Sequence, residues 1–283
     1  MPRRRRDGTG WYSTRTELPC GGDMAADISS SGFPTPAEEL NMATFALVHG
    51  AFCGAWCWEQ VRPRLEGRGH VVVAMDLPCD QPSAGCVRYA KTVIDSLAKH
   101  PEPVVLVGHS LGGLTIPLVA AARPVERMVF LAAFIPKPGQ AFKDQYATEE
   151  GMFPPSPESH RPIEDKKTGL STWPAERAIP SLFTDVRDDL AQESALRLRR
   201  QSSAPHAEVC PLKSWPNVPS SYILCLDDAL VGAAWARRAA RERLDTKAIE
   251  LPGGHMPMIS RPDELAAALD ACLAGEQRRM RRA

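Results

Sequence analysis

Gly108-His109-Ser110-Leu111-Gly112-Gly113 is the strongest local signal in the sequence. It fits the pattern G-x-S-x-G, in which a sharp turn from a strand to a helix leaves a serine exposed above a sheet. Small residues flank the serine because the backbone crowds its neighbours there and adopts strained dihedral angles. An apolar run at 103–107 precedes this stretch and a helical pattern follows it, as the motif requires. We therefore predict Ser110 as a nucleophile.

Strand and helix patterns alternate outward from this turn in both directions. The predicted elements are strands at 44–48, 70–75, 103–107, 127–134, 221–226 and 247–251, and helices at 56–66, 87–98, 111–121 and 263–273. Strands that alternate with helices in this way predict an α/β protein, with a mostly parallel sheet and helices on both faces.

One long stretch, between Pro136 and Pro219, interrupts the alternation. It begins with a proline-rich segment, continues with helix-like sequence rich in Arg and Asp, and contains no clear strand. Insertions into sheets of this class lie over the carboxyl ends of the strands, where ligands bind. We therefore predict an inserted helical cap at 137–218 on a core formed by residues 42–136 and 219–283. The alternative is a surface insertion without a role in binding.

The first 41 residues differ from the rest of the chain. They lack apolar periodicity and are rich in Gly, Ser, Thr, Pro and Arg, which predicts a disordered leader at 1–41. No apolar segment follows the arginines at 3–6, so a secretion signal is not predicted. No apolar run of about 18 residues is present, so no membrane span is expected. We accordingly expect a cytoplasmic protein.

The composition bears on partners, metals and cysteine chemistry. Lys and Arg together number 34 and Asp and Glu also 34, so no net charge favours nucleic acid or an anionic membrane. Eight cysteines are spread along a chain that is neither small nor visibly secreted, which predicts reduced and mostly buried thiols. Cys53 and Cys57 are four residues apart, but no second Cys or His pair has a partnering spacing. We therefore predict no metal site.

A serine nucleophile needs a base, and the base needs an acid that orients it. In proteins with this turn, the chain order is Ser, then Asp or Glu, then His. His160, His206 and His255 are the histidines after Ser110, and the first two lie within the insertion. His255 follows the strand at 247–251 in a Pro-Gly-Gly-His turn, where a catalytic base belongs. We predict His255 as the base.

The acid and the oxyanion-hole residues are also predicted from their places after predicted strands. The strand at 221–226 ends in Asp227 and Asp228, and adjacent side chains there point in opposite directions, so only one can face the base. We favour Asp228, and Asp227 is the alternative. The oxyanion hole needs two backbone N–H groups, which we assign to Leu111 and Ala51. The substrate pocket is predicted to be lined by Gly50, Phe52, His109 and Met256.

Three segments together resemble a known family. These are residues 47–56 (Leu-Val-His-Gly-Ala-Phe-Cys-Gly-Ala-Trp), the turn at Ser110, and residues 254–265 around His255. They resemble the α/β-hydrolase branch that contains plant methylesterases, salicylic acid-binding protein, hydroxynitrile lyases and small bacterial esterases. The resemblance runs from Met42 to about Ala274. The segment at 229–232 departs from it, because it lacks the Lys/Arg-x-Ile-Pro character of the family.

The resemblance implies the α/β-hydrolase fold, a triad of Ser110, Asp228 and His255, and no cofactor. It also implies hydrolysis of a small-molecule carboxylic ester through an acyl-enzyme, and it allows a homodimer. A hydroxynitrile lyase is the alternative enzyme, although the lyases carry threonine in place of Gly50 and lysine in place of Met256. A non-catalytic receptor for a small ligand is the alternative outside enzymes.

Overall fold

A computed structural model of the protein describes residues 42–100 and 104–280. The leader predicted at 1–41 lies outside the described residues. Among the described helices, none has both the length and the hydropathy that crossing a membrane requires. The cysteines of the described part are free and buried: Cys53, Cys57, Cys79, Cys86, Cys210, Cys225 and Cys272.

The strands form one large parallel sheet and one small antiparallel sheet. In chain order the described strands are β1 (Thr44–Val48), β2 (Val71–Ala74), β3 (Val104–His109), β4 (Arg127–Leu131), β5 (Ile163–Asp165), β6 (Leu170–Thr172), β7 (Gln201–Ser202), β8 (Ser220–Cys225) and β9 (Ile249–Leu251). The large sheet has the order β2-β1-β3-β4-β8-β9, and all its neighbouring strands are parallel. The predicted parallel sheet is confirmed.

Ten α-helices are described around these strands. They are α1 (Arg62–Glu66), α2 (Cys86–Ser96), α3 (Ile116–Ala122), α4 (Phe142–Thr148), α5 (Ala175–Leu182), α6 (Asp188–Leu196), α7 (Ala204–Ala207), α8 (Ala233–Leu244), α9 (Pro257–Ser260) and α10 (Pro262–Met280). Two predicted helices each begin instead as a short 3₁₀ helix, at Ala55–Trp58 and at Ser110–Leu114. At the second, the tight turn after β3 delays the regular helix until Ile116.

The core lies on both faces of the large sheet because the central strands are apolar throughout. Every residue of β1, β3 and β4 is buried. Side chains alternate along a strand, so Ala46 and Val48 pack on one face while Phe45 and Leu47 pack on the other. Continuous apolar strands are typical of a sheet that is covered on both sides.

The insertion between β4 and β8 contains a feature that the sequence analysis did not predict. Besides helices α4 to α7, it holds the antiparallel sheet β5-β6-β7. These strands have two or three residues each, and all of β5 is exposed. Strands of two or three residues are too short to show an apolar alternation, which is why the expectation of a stretch without strands was wrong.

The parallel sheet brings its chemical groups to one edge. Ser110 directly follows β3, Asp228 comes shortly after β8, and His255 comes shortly after β9. Because parallel strands have their carboxyl ends at the same edge, three segments that are distant in sequence meet there.

Candidate active site

Ser110 occupies the sharp turn that the sequence predicts. Its φ angle is +51°, in the left-handed region that residues other than glycine rarely adopt. The backbone behind it is tightly packed, because a Cβ on Gly113 would overlap the carbonyl oxygen of Phe134 and lie 2.9 Å from the Cβ of Ala133. The turn therefore holds the serine in a strained conformation, with its side chain at the carboxyl edge of the sheet.

Asp228 and His255 form a buried hydrogen-bonded pair. The imidazole Nδ1 of His255 lies 2.8 Å from Oδ2 and 3.0 Å from Oδ1 of Asp228, and both side chains are 1% exposed. Oδ1 also accepts the backbone N–H groups of Leu230 and Val231, at 2.8 and 2.9 Å. These bonds fix the carboxylate, and the carboxylate in turn fixes the ring of His255 with Nε2 as the free nitrogen.

Asp227 has a different set of contacts. Its Oδ2 accepts the N–H of Gly253 at 3.2 Å, and its own N–H donates to the carbonyl oxygen of Gly253 at 3.0 Å. The side chain of Asp227 thus contacts the turn that carries His255, whereas the carboxylate of Asp228 contacts the ring itself. Of the two candidate acids, the structure brings Asp228 to the base.

His109 links the serine turn to the histidine turn. Its Nε2 donates to the carbonyl oxygen of His255 at 2.9 Å, and the two rings lie 4.7 Å apart. Burial lowers the pKa of His109 well below its usual range, and the neighbouring His255 lowers it further. His109 is therefore neutral at neutral pH. As the residue directly before Ser110, it connects the serine turn to the turn that carries the predicted base, His255.

The loop after β1 approaches Ser110 closely. A Cβ on Gly50 would lie 2.8 Å from the Cβ of Ser110 and 2.9 Å from Nδ1 of His109, so this position requires glycine. The carbonyl oxygen of Gly50 accepts Nδ1–H of His49 at 2.8 Å. Because C=O and N–H of a planar trans peptide point in opposite directions, this bond turns the N–H of Ala51 away from His49.

His49 itself is held in a defined protonation state. Its Nε2 accepts the backbone N–H of Leu77 at 2.9 Å, so the ring donates from Nδ1 and accepts at Nε2. Burial lowers the pKa of His49 to about 4, and the hydrogen bond to Gly50 offsets this only in part. His49 is a residue that the sequence analysis did not single out, although it directly precedes the predicted oxyanion loop.

A cavity of about 580 Å³ lies above Ser110. Its wall includes Ser110, Ala51 and Leu111, so the nucleophile and both predicted oxyanion residues face the same space. The insertion supplies much of the rest, and most of these residues are aromatic or apolar. Lining residues from the insertion are Tyr146, Phe153, Pro154, Ser156, His160, Arg161, Pro162, Trp173 and His206.

Only one of the four predicted pocket residues lines this cavity. Phe52 lines it, but Gly50, His109 and Met256 do not. The side chain of His109 is turned to His255, and Met256 is fully buried in the apolar core. Gly50 has no side chain and its backbone packs against Ser110.

The insertion supplies pocket residues that sequence reasoning missed. Trp173 packs edge to face against Phe52 of the core at 5.1 Å. Tyr146 and Phe153 form a second aromatic group with Phe134 of the core, with ring distances of 5.1 and 5.6 Å. No spacing in the sequence links Tyr146, Phe153 and Trp173, because they come from separate parts of the insertion. One feature of the sequence could have indicated that the insertion lines the pocket: its two histidines, His160 and His206, both lie in the cavity wall.

No group of three or more metal-ligating side chains occurs within residues 42–100 and 104–280. Cys53, at the end of the loop at 50–53, and Cys57 are both buried in the apolar core. Burial raises the pKa of the Cys57 thiol well above its usual range, and the neighbouring Cys53 raises it further. Burial therefore holds this thiol in its protonated form at neutral pH.

Comparison with known proteins agrees with this architecture. The profile of the alpha/beta hydrolase family matches residues 45–268. Methylesterase 2 of Arabidopsis thaliana is 30% identical over 254 residues, which cover 81% of this chain and 95% of that protein. An alpha-hydroxynitrile lyase of the same plant is 29% identical over 248 residues, with coverages of 80% and 95%. A crystal structure of the pyrethroid hydrolase PytH matches with a TM-score of 0.67 and 25% identity, over 81% of this chain and 96% of that one.

These similarities extend along nearly the whole length of the relatives, and they include the strands that carry Ser110, Asp228 and His255. The parallel strand order and the turn after β3 are the features that the motif requires. The resemblance seen in the sequence is confirmed, and the chain belongs to the α/β-hydrolase family, in the branch that contains the methylesterases.

Proposed function

We propose that this protein hydrolyses a carboxylic ester through an acyl-enzyme, with Ser110 as nucleophile, His255 as general base and acid, and Asp228 as the group that orients His255. The observation that carries the proposal is the buried Asp228–His255 pair, which His109 joins to the turn of a strained serine that opens into a cavity. A methylesterase and a pyrethroid hydrolase among the similar proteins support the same reaction class.

The reaction proceeds in two halves. The Oγ of Ser110 attacks the ester carbonyl carbon while its proton passes to Nε2 of His255. The carbonyl oxygen becomes an oxyanion, which the N–H groups of Ala51 and Leu111 stabilise. The C–O bond then breaks, and His255 returns the proton to the departing alcohol. In the second half, water attacks the acyl-enzyme, His255 takes its proton, and the acid leaves with Ser110 restored.

Two backbone groups are suited to the oxyanion. Leu111 is the second residue of a 3₁₀ helix, and the first N–H groups of a helix have no acceptor within that helix. Ala51 N–H is turned away from His49 by the bond that holds the Gly50 carbonyl. Both residues line the cavity with Ser110. Their N–H groups are therefore the donors that we assign to the oxyanion.

The cavity favours an ester larger than one with a short aliphatic chain. A volume of about 580 Å³ lies in the range of sites that enclose drug-sized ligands. Aromatic side chains at its wall, such as Trp173 and Phe153, suit a flat or branched apolar body. We therefore propose an ester with an aromatic or bulky apolar part as the substrate.

The lyase alternative is less well supported by this site. A departing cyanide needs a nearby positive charge, and the lyases carry a lysine in place of Met256, which is apolar and fully buried here. The close approach of Gly50 to Ser110 leaves no room for the threonine of the lyases without movement of the loop.

Covalent labelling tests the proposal most directly. A fluorophosphonate should label the wild-type protein at Ser110 and leave Ser110→Ala and His255→Ala unlabelled or slow. A panel of p-nitrophenyl and aryl methyl esters should be hydrolysed, with activity down by about 10³-fold or more in both variants. Cyanide release from mandelonitrile, measured in parallel, should stay at background. Ester turnover at the wild-type rate in Ser110→Ala would refute the mechanism, and cyanide release that depends on His255 without ester turnover would favour the lyase.

A further inference from the structure

Phe52 sits in the oxyanion loop with a strained backbone. Its φ angle is +62°, which a bulky side chain rarely adopts. Two residues of the insertion hold it there: the N–H of Arg199 donates to the carbonyl oxygen of Phe52 at 2.7 Å, and the N–H of Phe52 donates to Oε1 of Gln201 at 3.3 Å. Strained residues persist only where the surroundings over-determine them, and here those surroundings are the segment at 199–201.

Gln201 is a buried amide whose hydrogen bonds fix its orientation. It is 3% exposed. Its Nε2 donates to the carbonyl oxygen of Ser202 at 2.8 Å and lies 3.1 Å from the hydroxyl of Tyr89. A carbonyl oxygen can only accept and the N–H of Phe52 can only donate, so Oε1 must face Phe52 and Nε2 must face Ser202. The site therefore uses both the acceptor and the donor of the amide.

The bond from Phe52 to Gln201 controls a particular peptide group. Phe52 N–H and Ala51 C=O belong to one planar unit, and Gly50 C=O and Ala51 N–H belong to the preceding one. His49, from the core, holds the first of these units through Gly50, and Gln201, from the insertion, holds the second. Ala51, the proposed oxyanion donor, lies between two peptide groups that are each fixed by a side chain.

The segment that carries Gln201 is itself anchored to the core. Nη1 of Arg199 donates to the carbonyl oxygen of Leu77 at 2.9 Å, and its guanidinium lies 3.4 Å from a carboxylate oxygen of Asp80. Ser202 donates through its N–H to the carbonyl oxygen of Cys79 at 2.7 Å. Gln201 thus presents its acceptor from a fixed position.

From these contacts we infer that Gln201 is a positioning residue for ester hydrolysis: by holding the peptide after Ala51, it aims the Ala51 N–H at the oxyanion. This inference rests on the proposed function. It means that the insertion completes the catalytic geometry of the core in addition to forming the wall of the cavity.

Gln201→Met tests this role, because methionine has a similar length and no strong hydrogen-bond acceptor. A displaced oxyanion donor impairs the transition state more than substrate binding. We expect kcat to fall by about 10- to 100-fold, with KM changed by no more than about threefold. The inhibition constant of an arylboronic acid, whose tetrahedral adduct with serine resembles the transition state, should rise by a similar factor.

Ser202→Ala is the matched control. It lies next to Gln201 in β7, and its Oγ donates to the carbonyl oxygen of Pro82 at 2.7 Å, away from the oxyanion loop. Its loss removes two hydrogen bonds of the same segment, the one to Pro82 and one that Oγ accepts from the N–H of Ala204, so it should lower the melting temperature without changing kcat by more than about twofold. A fall in kcat in Ser202→Ala as large as in Gln201→Met would show that the strand has only a structural role, and would overturn the inference.

Hydrogen exchange supplies a readout that is independent of turnover. In Gln201→Met the amide of Phe52 should exchange faster than in the wild type, while amides of β3 keep their protection.

If Gln201→Met does not fold, Tyr89→Phe removes the hydroxyl beside Nε2 and should give a smaller effect in the same direction. Wild-type kcat and boronate affinity in a folded Gln201→Met protein would overturn the inference. A wild-type protein that hydrolyses no ester would instead refute the proposed function.

Discussion

Asp228→Asn is the substitution for which the structure predicts the sharpest outcome. Oδ1 of Asp228 accepts two backbone N–H groups, from Leu230 and Val231. An asparagine must keep its oxygen at that place, because its NH₂ group there would face two donors. The NH₂ group therefore takes the position of Oδ2, which lies closer to Nδ1 of His255 than Oδ1 does, at 2.8 Å against 3.0 Å.

The consequence for the base follows from this geometry. An NH₂ donor opposite Nδ1 makes that nitrogen the acceptor, so the proton of the neutral ring moves to Nε2. Nε2 then has no lone pair for the proton of Ser110. The same change in another Ser-His-Asp enzyme lowers kcat by about 10⁴-fold, which corresponds to about 5 kcal/mol of transition-state stabilisation. We expect a loss of about 10³- to 10⁴-fold here.

Asp227→Asn is the matched control, because it changes the same chemical group one residue away. The amide oxygen of asparagine can still accept the N–H of Gly253, so kcat should stay within about threefold of the wild type. Both variants are compared on one p-nitrophenyl ester at neutral pH, with melting temperatures to show that they are folded. A larger loss in Asp227→Asn would move the acid to that residue, and full activity in both would refute the triad.

Three further predictions concern the pocket, the turn and the response to acid. Trp173→Ala should raise KM for aryl esters several-fold with kcat little changed, because it removes wall area and leaves the reacting groups in place. Gly113→Ala should destabilise the fold by about 1–3 kcal/mol in urea unfolding, because the added Cβ meets the carbonyl of Phe134. His49, with its pKa lowered to about 4, stabilises the fold fully above its unfolded pKa, and this contribution of roughly 3 kcal/mol is lost as pH falls toward 4. His49→Gln should show a weaker decline over this pH range.

The strand ends could be predicted from the sequence because they depend on strong local signals. Continuous apolar runs identify buried parallel strands, and the glycines around Ser110 identify a tight turn. The alternation of strands and helices then brings the residues after β3, β8 and β9 to one edge. Asp228 and His255 are found together for this reason, although 26 residues separate them in the chain.

The cavity wall could not be predicted in the same way. Trp173, Phe153 and Tyr146 reach the site through the packing of short helices and two- or three-residue strands, which leave no periodic pattern. The sequence suggests His109 and Met256 as pocket residues because they are neighbours of the proposed catalytic residues Ser110 and His255. Neighbours along a strand or at the start of a helix point to different sides, and these two point into the interior.

Gln201 shows why part of the catalytic geometry is hidden from sequence reasoning. An amide in a two-residue strand of an insertion has no signature, and its effect depends on a contact with Phe52 that spans 149 positions. The peptide groups before and after Ala51 are held by residues at very different distances along the chain. His49 precedes the loop directly and could be suspected from its place in the chain, whereas Gln201 reaches the loop only after the insertion has folded back over it. His49 and Gln201 together hold the oxyanion loop. Substitutions in the insertion can therefore change kcat without contacting substrate, and a comparison of pocket residues alone would not explain such changes.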